Sequence, residues 1–161
     1  MGRRRLRRAV PRGCRNGGDR GVKPRRNLDE ERTLRVLLAW PASEPPYSTS
    51  LIERCEIALN TPLGALSMEQ IRLLIGQGFG LEYLMPKALA GLDINPMIGV
   101  THYEGDLLSA CLRVKSDFWT SASDLHERLR TIVSKLDQSS FDAKLAREIQ
   151  AFMKGSEPRA T

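Results

Sequence analysis

Histidine and cysteine are both scarce in this chain of 161 residues, which holds two of the first and three of the second. His102 and His126 each stand alone, with no second ligand at metal spacing and no nucleophile and base arrangement, which argues against a zinc site or an acid–base pair. Cys14, Cys55 and Cys111 are odd in number and widely spaced, with no C-x-x-C pair, so no disulfide framework is indicated and a reducing cytoplasm is the expected compartment. Cys55 and Cys111 fall on apolar helical faces and read as small buried hydrophobes. No apolar run approaches 18 residues, which leaves no candidate membrane span. Strand patterns are missing as well, except that TLRVLLAW at 33–40 reads equally as a short strand or a helix. No cofactor and no metal are expected.

Acidic residues are almost missing from the start of the chain. Residues 1–45 hold 13 Lys and Arg against 5 Asp and Glu, whereas residues 46–161 hold 12 against 14. The net charge of +6 and the pI near 9.6 therefore belong to the N-terminal segment, and the remainder is mildly acidic. Residues 1–28 are Arg- and Gly-rich and too poor in apolar groups to offset the entropy of ordering, so they read as a disordered tail. No apolar core follows the basic start, as a secretory signal requires. Three readings of the tail remain open: upstream sequence preceding a later start near residues 29–36, a solvated extension, or an arginine-rich arm on nucleic acid.

Beyond that tail the chain reads as helix after helix. The expected organisation is a variable lead-in at 29–46, a helical domain at 47–155 and a disordered end at 156–161. Pro41, Pro45 and Pro46 break the chain, and Ser48 or Ser50 can cap a helix that turns Leu51, Cys55 and Leu59 inward. Ser67 and Gln70 form an S-x-x-Q capping box ahead of Ile71, Leu74 and Ile75. Gly76, Gly78 and Gly80 lack the order of a dinucleotide loop, since Leu81 holds the sixth position and a helix precedes, so they read as a helix end with a tight turn. Residues 81–92 form a helical stripe containing Pro86, which predicts a kink or two abutting helices. Asn95 and Pro96 mark a turn, Asp106 a helix cap, and Phe118 and Trp119 an anchor onto the core. Ser123 begins a helix with Leu129 and Val133 inward, Phe141 to Phe152 a second, and the two are expected to pair as an antiparallel hairpin. The predicted fold is all-α, a compact bundle of about six short to medium helices.

The irregular stretches carry a further signal. WPASEPPYSTSLIERC, NTPLGALSMEQIRLLIGQGFGLEYLMPKAL, LDINPMIGVTHYEGDLLSACLRV and the following DFW resemble the immunity proteins of bacterial contact-dependent growth inhibition systems, over roughly Trp40 to Lys154. Lys87 and Gly91 depart from the smoother aliphatic helix of that family, THYEGD replaces a more acidic lead-in, and the basic tail has no counterpart. The resemblance implies a non-enzymatic inhibitor whose partner is the toxin C-terminal domain of a large secreted or surface protein, often a nuclease with a positively charged groove. Carboxylates opposite such a groove would steer association. The candidate contacts are Asp93, Tyr103, Glu104, Asp106 and Asp117, extended by Glu82 and Tyr83. An alternative is a nucleic-acid-binding accessory protein working through the Arg-rich arm. A third is a helical adaptor with no toxin partner.

Overall fold

The computed structural model describes residues 29–155 apart from positions 138 and 140; the readings of the basic tail, Cys14 and the final residues lie outside them. The described helices are α1 (Leu34–Leu37), α2 (Ser50–Leu59), α3 (Met68–Gln77), α4 (Leu81–Ile94), α5 (Asp106–Leu112), α6 (Ser116–Ser121), α7 (Ser123–Ser134) and α8 (Ala143–Gly155). The sole β pairing among the described residues is an isolated bridge between Thr33 and Pro62. The fold is all-α. None of the described helices is long and apolar enough to cross a membrane.

Three helices form the centre. α3 packs on α2, α4 and α5; α4 also packs on α5 and α7; α5 takes α8; and α6 lies on α7. Leu74, Leu84, Met85, Leu89, Leu107 and Leu129 are fully buried where these elements meet. Each such side chain contributes about 1.5–3 kcal/mol of transfer free energy. Gly91 is the small residue that makes room: a Cβ there would stand 2.9 Å from the Met68 methyl, so the break in the aliphatic stripe is filled by a side chain from α3.

Local chemistry fixes the helix ends. Ser67 and Gln70 form the reciprocal capping box, with Ser67 N–H donating to Gln70 Oε1 at 3.0 Å and Gln70 N–H to Ser67 Oγ at 3.2 Å. α3 stops at Gly78, whose φ of +78° turns the chain left-handed while Phe79 N–H reaches back to the Leu74 carbonyl. α4 runs unbroken through Pro86. The pyrrolidine removes one donor near the helix start, and the residue is exposed, so water can serve the carbonyl left behind.

Several expectations are corrected. TLRVLLAW is helical at its centre, capped by Thr33, and Leu34 is wholly buried. The lead-in is thus part of the core. Arg35 secures it: its guanidinium pairs with Glu56 and donates to Asn60 Oδ1 at 2.8 Å and the Pro41 carbonyl at 2.6 Å. α2 is capped by Thr49 and not by Ser48 or Ser50, and it buries Cys55, Glu56, Ala58 and Leu59 while Leu51 faces outward. Ala122, not Ser123, occupies the cap of α7. α7 and α8 do not pair along their lengths; one lies on α4 and the other on α5, and they meet through His126 and Phe152, whose rings are 4.9 Å apart. Phe118 and Trp119 anchor onto the core as expected, from a helix of their own, α6, with Trp119 packed edge-on against Phe152.

Candidate functional site

The carboxylates between Asp93 and Asp117 do not form one surface. Asp106 is 1% exposed and turned inward. Gly105, at φ +83°, takes the cap position of α5, and Asp106 instead holds the loop before it. Its Oδ1 accepts from Val100 N–H at 2.9 Å, and its Oδ2 from Thr101 and His102 N–H at 2.9 and 2.8 Å. Burial pushes this carboxyl up, but those three N–H groups together with the charge of Arg72 outweigh it and hold Asp106 below its ordinary value. Asp106 is spent inside the fold and presents no free carboxylate at the surface.

Around it lies a polar cleft of about 280 Å³, lined in part by Arg72, Gln77, Tyr103, Ser109 and Arg113. Tyr103 is 39% exposed, and its hydroxyl takes part in a relay between two charges. Lys144 Nζ donates to the Tyr103 hydroxyl at 3.3 Å, Tyr103 to Ser109 Oγ at 3.4 Å, and Ser109 to Glu148. Lys144 also stands 5.3 Å from the centre of the Tyr103 ring. Glu104 is exposed next to Tyr103 and makes no ion pair among the described residues.

A second concavity, of about 490 Å³, lies between α4, α7 and the start of the described chain. Leu63, Pro86 and Ala90 supply apolar surface, Tyr83 an aromatic wall, and Asp29, Glu30 and Glu82 the charge. Lys87 donates to Glu30 at 2.8 Å, and Arg128 pairs with Asp93 on the same flank. Glu82 is exposed in the first turn of α4, with no ion pair among the described residues. Glu82 and Tyr83 therefore line one groove, with Asp93 joined to its edge through Arg128, while Tyr103 lines the other cleft and Glu104 follows it in the chain. Asp117 is exposed in the first turn of α6 and lines neither. Asp29 and Glu30 were missed by sequence reasoning, since only the fold carries them to α4; the available sign was an acidic run just ahead of an apolar segment.

Neither histidine stands in a reactive cluster. His102 is exposed. His126 is half-buried beside Trp119 and Phe152, and burial first, then the charge of Arg130, moves its pKa down. Among the described residues, no group of three or more His, Cys, Asp or Glu could hold a metal ion. Cys111 is fully buried, and desolvation pushes its thiol up to about 12.

A family model described as CDI immunity proteins matches residues 38–129. No curated protein matches the chain. The match begins at the C-cap of α1, includes the three central helices and every lining residue of the polar cleft, and ends inside α7, earlier than the resemblance to Lys154 suggests. It spans more than half of the 161 residues, and the chain therefore belongs to the CDI immunity proteins, which neutralise a cognate toxin.

Proposed function

We propose that this protein neutralises a nuclease-type toxin without chemistry, by laying the groove between α4 and α7 against a basic surface of the toxin domain and occluding it. One observation carries the reading: Asp29, Glu30 and Glu82 line a concave apolar patch walled by Tyr83, and with Asp29 paired to Arg32, Glu30 to Lys87 and Asp93 to Arg128, Glu82 keeps a carboxylate without an ion pair among the described residues. Carboxylates at the rim raise the encounter rate with a cationic partner, and a rigid aromatic next to a small-residue floor gives the complex its lifetime. An interface of ordinary size, about 1,600 Å² in all, supports nanomolar affinity, about −12 kcal/mol. Tyr103 and Glu104 offer a second, smaller contact. The setting for such an encounter is the cytoplasm.

The test uses the cognate toxin domain, which this reading expects at the C-terminus of a large secreted or surface protein encoded beside this chain. Glu82→Lys should slow association about tenfold at low salt through lost steering, and should weaken growth rescue. The melting temperature should stay the same, since Glu82 makes no ion pair among the described residues. Wild-type association and rescue by Glu82→Lys and by Glu30→Lys would remove this groove from the account.

A further inference from the structure

We propose that the polar cleft between α3 and α5 is an oxyanion-binding site, taking a carboxylate or phosphate group between the guanidinium groups of Arg72 and Arg113. This face is separate from the acidic groove, and the inference does not rest on the toxin-binding reading. Arg113, at the C-cap of α5, is exposed and makes no side-chain hydrogen bond or ion pair among the described residues. Arg72 rises from α3 with a side chain only 21% exposed. Its Nε lies 3.3 Å from Asp106 Oδ2, yet its N–H is not directed at that oxygen, and this buried nitrogen has no hydrogen-bond partner.

Asp106 gives Arg72 a counter-charge but no hydrogen bond at Nε, since its two oxygens are turned to three backbone N–H groups. The rest of the guanidinium makes no hydrogen bond or further ion pair among the described residues. Elsewhere on this mildly acidic body, Arg35, Arg54, Lys87 and Arg128 each meet a carboxylate of their own. Buried guanidinium N–H groups without acceptors are costly, and bidentate oxyanions are the groups that match a guanidinium fork. The hydroxyls of Tyr103 and Ser109 are directed along the relay to Glu148, so the donors left for a ligand are the two arginines and the Gln77 amide. Asp106 and Glu148 close by restrict the site to a single small anionic group, in keeping with a volume of about 280 Å³.

The test titrates the full chain with inorganic phosphate and, separately, with sodium acetate against sodium chloride at constant ionic strength, following backbone amide resonances residue by residue. Residue resolution is needed because the Arg-rich residues 1–28 also attract phosphate. Saturable shifts confined to residues around 72–77 and 109–114 are expected. Arg113→Gln should weaken that response at least about tenfold, the loss of one charge-assisted contact, with an unchanged melting temperature in chloride. Gln77→Glu, which adds a like charge, should abolish it. Response to phosphate alone identifies a phosphorylated ligand, and response to acetate identifies a carboxylate; both support the site. Shifts equal to those in chloride, shifts confined to residues 1–28, or an unaltered response in Arg113→Gln would overturn it.

Discussion

Asp106→Asn replaces a buried carboxylate by an amide of nearly the same shape, and the consequences follow from three N–H groups converging on two oxygens. The better amide orientation keeps its oxygen on Thr101 and His102 and turns its NH2 toward Val100, where donor meets donor. One buried N–H is left unsatisfied, which costs about 1–3 kcal/mol, and the two remaining bonds lose their charge assistance. Arg72 also loses its counter-charge, a loss that water reaching its partly exposed side chain softens. The sum is about 3–5 kcal/mol, the range found when one partner of a buried pair is removed. Urea unfolding followed by circular dichroism at pH 7 measures it, and a loss under about 1 kcal/mol with an unchanged m-value would refute the reasoning. Acid supplies a second check. The folded pKa is depressed, so the carboxylate's contribution is fully present above the ordinary value of 3.8 and is lost as pH falls through the folded value. The gap between wild type and Asp106→Asn should therefore hold from pH 7 to about 5 and narrow below about 4.

Gly80 and Gly78 both have positive φ, at +55° and +78°, but a Cβ at Gly80 would lie 2.8 Å from Leu34 Cδ2 whereas one at Gly78 meets nothing within 4 Å. Gly78→Ala should cost about 1–2 kcal/mol from backbone strain alone, and Gly80→Ala clearly more, because Leu34 is fully buried and has no room to retreat; thermal melts that rank the two equally would contradict this. With its thiol at about 12, Cys111 at pH 8 should be thiolate in roughly one molecule in ten thousand, so peptide mapping after iodoacetamide should find it unmodified in the native protein and alkylated once unfolded.

Much of the fold was legible because it is written locally. The capping box at Ser67 and Gln70, the glycine stop at Gly78 and the stripe through Leu84, Leu89 and Leu92 each depend on neighbours within a turn or two. What failed depended on distance. Leu51 fits an apolar stripe with Cys55 and Leu59, but the lead-in docks on another side of α2, where Arg35 draws Glu56 inward and leaves Leu51 outside. The last two helices have the pattern of a hairpin, yet each finds a better apolar partner among the central helices. Asp106 has the sequence position of a cap and the accessibility of a core residue, and no spacing rule distinguishes a carboxylate aimed at solvent from one aimed at its own preceding loop.

The acidic groove shows the same division in functional terms. Its floor, from Leu63 and α4, and its wall Tyr83 lie inside the stretch that matches the family, while Asp29 and Glu30 come from before it. Those two carboxylates stand at the groove because Leu34 is buried and Arg35 ties the lead-in to Glu56 and the Pro41 carbonyl. The Lys87–Glu30 pair then joins the lead-in to α4. On the proposed reading, charge on that rim acts over about a Debye length, roughly 8–10 Å, and so governs encounter, whereas the floor acts only at contact and so governs release. The rim then draws on Asp29 and Glu30 of the folded lead-in and on Glu82 of α4, and the buried Arg35–Glu56 pair, which ties the lead-in to α2, keeps the two in register.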